Sequence, residues 1–367
     1  MVTENIANCT GCGLCAVVCP KSCLKIKLNK DGFYKPVLAD SQACTRCNLC
    51  DRICPKGEIV ENAEPLAILS AVTKDEQTLQ TTSSGGICYE IAKLAIEHGQ
   101  KVCGCIYNYD KHRAVHAVIS DLDQLEATKG SKYFQSYTPD GFKDLFDGNA
   151  WTVFGTPCQI AAIAKMAERK KVRDRLTLVD FFCHGTPSMR IWDKYLSEHD
   201  RDRIAKIDFR SKEFGWGKFS LRFTYNDGRT FSDLSKNMFY TFFFSNLCLN
   251  DSCYRCSYKS FRSLADIRVG DYWGEKYKND TKGVSCCVIM TEHGQQVLNA
   301  LQERCELRPE EAAPVLKEQM TTSPALYTGV RKKVLRALCG TKSLKTIFNT
   351  TLFPYRLKCK IKSIMRR

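Results

Sequence analysis

From Thr81 onward, apolar positions recur at alternating helical and strand-like spacings, whereas residues 1–60 form a small cysteine-rich unit. Between Gly85 and His98, Ile87, Ile91, Leu94 and Ala95 fall on one face of a helix that Gly99 can close. Strands are predicted over 101–107, 114–120 and 151–154. The last runs into Gly155-Thr156-Pro157 and a helix to about Ala167. A buried strand over 175–182 precedes a helix over 188–198. Strands over 204–209 and 218–225 come next, and Asn226-Asp227-Gly228 reads as a hairpin turn. A helix over 239–249, a strand over 284–290 and a helix over 292–301 complete the series. Residues 61–80 read as a linker with one strand. The expected class is α+β: a small N-terminal unit over 1–60, the linker, a mixed α/β domain over 81–310 and a C-terminal tail over 311–367.

The composition narrows this picture. A chain of 367 residues suggests two or three domains, each able to bury a core. The longest apolar stretch, 238–249, is interrupted by Ser245 and Asn246 and is too short to span a bilayer. No basic-then-apolar leader opens the sequence, so a cytoplasmic location is expected. In a reducing compartment, 22 cysteines point to metal rather than to a disulfide scaffold. The formal charge of +15 is concentrated: residues 331–367 hold twelve Lys or Arg and no Asp or Glu. The remaining body is nearly neutral, which argues against a nucleic-acid-coating surface.

The cysteines carry the strongest pattern. Cys9, Cys12, Cys15 and Cys19-Pro20 are repeated at identical spacing as Cys44, Cys47, Cys50 and Cys54-Pro55. Three close thiolates on a tight loop can occupy three iron corners of a 4Fe-4S cube, and the cysteine before proline ligates the other cube. Cys9, Cys12, Cys15 and Cys54 are therefore assigned to one cluster, and Cys44, Cys47, Cys50 and Cys19 to a second. This is a bacterial-type two-cluster ferredoxin unit. Zinc ribbons instead space their C-x2-C pairs widely. Cys23 lies outside the repeat and reads as structural.

Later cysteines sit at turns. Cys158 follows a predicted strand, Cys183 ends a buried one, and Cys253 and Cys256 form a C-x2-C pair. Together they could ligate a third cluster, with Cys248 as a competitor, or they could be small buried residues. Thr82-Ser83-Ser84-Gly85-Gly86 opens a helix and could present amides to a phosphate, or simply cap the helix. Lys129-Gly130-Ser131-Lys132-Tyr133 could hold a diphosphate or be a solvated turn. Neither a P-loop nor a G-x-G-x-x-G fingerprint occurs. Among the histidines, His184, beside Cys183, is the candidate for a site. In the tail, Val334, Leu335, Leu338, Leu344, Ile347, Phe348, Leu352, Leu357, Ile361 and Ile364 lie among the cations. That pattern fits either a basic amphipathic helix in peripheral contact with the inner face of a membrane or a docked terminal helix.

The order of these motifs, with Phe209-Arg210-Ser211-Lys212, Gly215-Trp216, Ala265-Asp266-Ile267 and Gly270-Asp271 placed among them, resembles the coenzyme F-420 hydrogenase/dehydrogenase beta-subunit family in its ferredoxin-fused form. The resemblance spans residues 1 to about 310. It implies bound FAD and a further 4Fe-4S cluster on Cys158, Cys183, Cys253 and Cys256. It also implies that the loops of Ser83, Ser84, Gly85 and Gly86, and of Lys129 to Tyr133, line the flavin. Arg210 and Lys129 are then candidates for stabilising a reduced, anionic flavin. The expected function is an iron–sulfur flavoprotein oxidoreductase. It would exchange electrons with a redox partner protein or reduced ferredoxin and perform hydride-type chemistry on an organic substrate or a deazaflavin-like coenzyme. The rival is a non-catalytic electron-transfer subunit docked to a partner enzyme. Substrate, direction of flow and oligomeric state are not encoded in these motifs.

Overall fold

A computed structural model describes residues 8–56, 60–234, 236–355 and 357. Near the N-terminus, β1 (Leu24–Leu28) and β2 (Tyr34–Leu38) form an antiparallel hairpin. The Asn29 carboxamide accepts from the amides of Asp31 and Phe33, which closes the turn. Short helices at Leu14–Val17 and Leu49–Arg52 flank this hairpin in the chain and carry Cys15 and Cys50.

The body holds β3 (Ala67–Thr73), β4 (Lys101–Asn108), β5 (Arg113–Ile119), β6 (Trp151–Phe154) and β7 (Leu176–Phe181). They are followed by β8 (Ile204–Ser211), β9 (Ser220–Tyr225), β10 (Thr230–Leu234), β11 (Ile267–Asp271), β12 (Ser285–Ile289) and β13 (Cys305–Pro309). Eight of these strands make one mixed sheet in the order β13-β3-β12-β11-β7-β6-β4-β5. The run β11-β7-β6-β4 is parallel, and the remaining pairs are antiparallel. A separate antiparallel sheet, β8-β9-β10, turns at Asn226-Asp227-Gly228, as the sequence predicts.

Alternation along the parallel strands sends side chains to two cores. Leu176 and Leu178 share a core with Ile160 and Ala164 of the helix Pro157–Lys170. Val179 packs with Ile87 and Ile91 of the helix Ile87–Glu97. The sheet is thus covered on both faces, with the carboxyl ends of its parallel strands left to build a site.

One expectation needs correction. The segment 61–80 is more than a linker, because β3 lies inside the large sheet between β12 and β13. Its alternating pattern is short, and its pairing partners come more than 200 residues later. Of the two readings of the tail, its described residues support the docked helix. Helices Thr328–Cys339 and Leu344–Ile347 bury Val334, Leu335, Leu338, Leu344 and Ile347, with Leu352 beyond them, in the core that holds Trp192 and Phe239. The apolar face proposed for lipid is therefore used by the protein itself. Leu357 is exposed, while Ile361 and Ile364 lie outside the described residues. Among the described residues no helix is long and apolar enough to cross a membrane.

The ferredoxin unit is fastened to the body by hydrogen bonds to its ligand loop. Gln135 accepts from the Tyr34 amide at 2.7 Å and donates to Thr10 O at 3.0 Å. Thr138 donates to Cys12 O at 2.7 Å. Asn250 donates to Cys9 O at 3.0 Å, as does the buried ammonium of Lys35 at 2.7 Å.

Candidate electron-transfer site

The first ligand loop is wound by Gly11 and Gly13, whose positive φ angles of 70° and 82° place them in the left-handed region. Cys9, Cys12 and Cys15 are buried and Cys54 partly so. Burial pushes the Cys12 thiol up, and Cys15, Cys54 and Cys9 each push it further. Burial likewise raises Cys15, with Cys9 and Cys54 adding to it. Cys54, from the other repeat, thus acts on the thiols of Cys12 and Cys15, as does Cys9, and Cys50 acts on Cys15 as well. The backbone amides of Leu14 and Ala16 favour the thiolates of Cys12 and Cys15.

The second repeat reproduces the same backbone without glycine. Arg46 and Asn48 stand where Gly11 and Gly13 stand in the first repeat, at φ 54° and 57°. Cys19, Cys44, Cys47 and Cys50 line one cavity. Cys23 lines it as well, with its sulfur 3.2 Å from that of Cys19, so it is a neighbour of this site rather than a remote structural residue. Cys47 is exposed, which makes this the more open of the two ferredoxin sites.

The later cysteines converge at the carboxyl edge of the parallel strands. Cys158 follows β6 in the first turn of the helix Pro157–Lys170, where the capping box of Thr156 and Gln159 fixes the turn. The helix N-terminus there favours a thiolate. Cys183 follows β7. Cys253 and Cys256 lie in and just beyond the turn Asp251–Arg255. Burial pushes the Cys158 thiol up, with contributions from Cys183, Cys12 and Cys256. The Cys183 thiol is pushed up to about 12, by burial first and also by Cys253 and Cys256. The Thr186 amide donates to the Cys253 sulfur at 3.4 Å. Gly185, at φ 136°, passes so close that a Cβ there would stand 3.0 Å from Leu249 and 3.3 Å from the Cys253 Cβ. Cys248 is fully buried, and its thiol bonds to Phe242 O at 3.5 Å.

Buried thiols that raise one another's pKa are awkward unless a cation neutralises them. Among the described residues, no three His, Cys, Asp or Glu side chains are gathered closely enough to share one metal ion. A cube of four irons asks for a wider spacing, since each thiolate takes its own corner. The donor sets fit clusters better than zinc. The helix Leu14–Val17, which carries Cys15, packs against the helix Pro157–Lys170, which carries Cys158, so the first ferredoxin site lies beside the later group.

The two Ser/Gly loops meet. The Ser131 amide donates to Ser83 Oγ at 2.9 Å, and the two hydroxyls lie 3.2 Å apart. Several groups in them face inward, however. Ser84 Oγ donates to Val284 O, and the Gly85 amide donates to Ser285 Oγ. Gly86, at φ 84°, caps the helix Ile87–Glu97. Gly130, at φ 80°, has open space where a Cβ would stand. Lys132 spends its ammonium on the carbonyls of Ala127, Thr128 and Lys129, and burial pushes its pKa down to about 8. Lys129 pairs with Glu126 at 2.9 Å, donates to Thr81 Oγ1 and lies 4.2 Å from the Tyr89 ring centroid. Both lysines are thus engaged with protein groups.

Arg210 differs. It lies near the end of β8, is 6% exposed and pairs through Nη1 with Asp271 at 2.5 Å, while among the described residues its buried Nε and Nη2 have no hydrogen-bond partner. The guanidinium is sandwiched by Phe219 and Trp273, at 5.0 and 4.9 Å from their centroids, and Trp273 stacks on Trp216 at 4.2 Å. Lys212 donates to Leu79 O and Ser84 O, which ties this pocket to the Ser84 loop. Burial and the Arg210 charge push Lys212 down to about 8. Tyr133 lies beside Arg210 and packs edge-on against Phe243 at 5.3 Å. His184 lies 4.7 Å from that same Phe243, bonded to the Asn246 carboxamide at 2.7 Å. Burial pushes His184 down to about 4, so its imidazole is neutral near pH 7. Cys183, His184, Phe243, Tyr133 and Arg210 thus form a continuous line of contacts. Motif reading passed over Asp271, Lys212 and Trp273 as site residues, although the first two lie inside the motif series.

An α+β body fused behind a two-site ferredoxin unit defines the class: an iron–sulfur protein built for electron transfer. Residues 8–58 match the 4Fe-4S dicluster domain, and residues 149–314 match the family described as the C terminus of the coenzyme F420 hydrogenase/dehydrogenase beta subunit. The fold of this chain is similar to that of a chain in the F420-reducing [NiFe] hydrogenase complex from Methanosarcina barkeri, with a TM-score of 0.50 at 18% identity. The similarity covers 79% of this chain and 94% of that one. No curated protein matches the chain.

Proposed function

We propose that this protein is an iron–sulfur flavoprotein oxidoreductase that passes electrons between three 4Fe-4S clusters, a bound FAD and an organic substrate. The observation that carries the reading is the continuity of the groups. The first ferredoxin thiols neighbour Cys158, and Cys183 leads through His184 and Phe243 to Tyr133 and Arg210. Cys9, Cys12, Cys15 and Cys54 would hold the inner ferredoxin cluster, and Cys19, Cys44, Cys47 and Cys50 the outer one. Cys158, Cys183, Cys253 and Cys256 would hold the third. When bound, FAD would exchange electrons in pairs with the substrate and singly with the clusters.

The protein's own groups have separable roles. The unpartnered Nε and Nη2 of Arg210 offer two fixed donors to an anionic or carbonyl group, in a pocket walled by aromatic rings that exclude water. Asp271 holds the guanidinium in place. The junction of Ser83 with Ser131 would line the cofactor's outer end, near Gly130. Lys129 is engaged with Glu126 and His184 holds Asn246 through Nε2, so both would act mainly on neighbouring groups. The open second site, with exposed Cys47, is the natural entry for electrons from a redox partner. The test is anaerobic purification with iron and flavin counted together. About twelve irons and one flavin per chain are expected, four for each cube. Cys158→Ala should lose about four irons. A wild-type protein with about eight irons and no flavin would leave the electron-transfer-subunit reading in its place.

A further inference from the structure

The loop that follows the C-x2-C pair buries a cation that no carboxylate among the described residues meets. Lys259 is 4% exposed. Its ammonium donates to Cys183 O at 2.6 Å and to His184 O at 3.3 Å. No carboxylate of the described residues pairs with it. The thiols of Cys183 and Cys256 both feel its charge. The other buried cation near Cys256 is Arg268, and Asp180 neutralises it through a two-pronged pair at 2.7 Å. Carrying an ammonium into a protein interior is costly unless a negative charge meets it. Two backbone carbonyls satisfy its hydrogen bonds but supply no net charge.

We propose that Lys259 is the built-in counter-charge of the third cluster and sets its reduction potential. This rests on the assignment of Cys158, Cys183, Cys253 and Cys256 to that cluster. Four thiolates outweigh the positive charge of the iron–sulfur core, so the ligated cluster is an anion, and one added electron makes it more negative. A fixed ammonium one residue shell away favours that extra electron. In the low dielectric of this interior the effect is screened far less than at the exposed second site. Lys259 thereby makes the third cluster the favourable acceptor for electrons arriving from the first ferredoxin site. The lysine is a charge-setting residue that acts through the cluster from its place on the carbonyls of Cys183 and His184.

The test compares wild type, Lys259→Met and Lys259→Arg, each purified anaerobically with iron counted per chain. Each is then titrated with dithionite and mediators and followed by electron paramagnetic resonance. One electron from dithionite reduces each cluster. The expected result is about twelve irons in all three proteins. In Lys259→Met the midpoint of one cluster falls while the other two stay, and Lys259→Arg remains near wild type. Should Lys259→Met lose iron, Lys259→Gln keeps a donor for the two carbonyls and carries the same comparison. Full iron content with all three midpoints unmoved would overturn the proposal. About eight irons in the wild type would instead overturn the third cluster itself, and the two failures are distinguishable on the iron count alone.

Discussion

Replacing Arg268 by methionine probes the scaffold of the third site at its most buried charge. Arg268 and Asp180 are both 0% exposed. The guanidinium forks onto Asp180 through Nε and Nη2, each at 2.7 Å. Its remaining donors reach Tyr258 O, Ser260 O and Arg262 O at 3.1, 2.6 and 3.1 Å. Ser263 Oγ completes the carboxylate at 2.7 Å. The loop that leaves Cys256 is thus wound around one side chain, with Ser260 held at φ 59°. Arg268→Met leaves an unpaired carboxylate in the interior and strips three carbonyls of their donor. Breaking a buried pair on one side costs about 3–5 kcal/mol. That should lower the unfolding temperature by on the order of 10 °C. The assay is anaerobic thermal unfolding followed by circular dichroism, with iron counted before melting. Iron should fall as well, because Cys256 sits at the mouth of the loop. Arg268→Met with Asp180→Leu should recover part of the loss. The buried charge is then gone, while the three carbonyls still lack their donor. Unfolding of Arg268→Met within about 1 kcal/mol of wild type would refute the claim that this pair holds the loop.

Gly13→Ala should destabilise the docked ferredoxin unit. The new Cβ would lie 2.1 Å from Thr138 Oγ1 at a φ of 82°, and the strained backbone alone costs about 1 kcal/mol. Adding Thr138→Ala should restore part of the melting temperature by clearing the clash, and failure to do so would place the strain elsewhere. His116 should make stability fall in acid. Its pKa is pushed down to about 4, chiefly by burial, with its Nε2 3.0 Å from Phe154 O and Nδ1 without a partner. The unfolded chain takes up this proton below its ordinary value of about 6.5, and the folded one only near 4. The contribution is therefore complete above pH 6.5 and lost as pH falls toward 4, about 2 kcal/mol by pH 5. His116→Leu should flatten that part of the pH–stability curve, and an unchanged slope between pH 6.5 and 5 would reject the assignment.

What the chain reveals in advance follows the range of the interactions involved. The ferredoxin repeat is legible because its chemistry is local: three thiols on one tight loop must be spaced by two residues. Even there the second loop keeps the left-handed backbone with Arg46 and Asn48, so glycine was a helpful sign in the first copy and not a requirement. The strand-end placement of Cys158 and Cys183 is also legible, since a buried strand followed by a turn reads the same in any α/β sheet. The place of β3 is not, because its neighbours β12 and β13 are written more than 200 residues downstream. The same distance hides how the Ser84-Gly85 loop is used. From sequence its amides look free for a phosphate, but Ser285 and Val284 arrive from β12 and its approach to occupy them. Lys259 shows the limit most plainly. A lysine between tyrosine and serine in a loop reads as solvated, and only the fold brings Cys183 and His184 over it. The charge that most directly faces the candidate third cluster therefore belongs to a residue with no motif of its own, while the described part of the basic tail, which dominates the charge count, carries apolar side chains into the core.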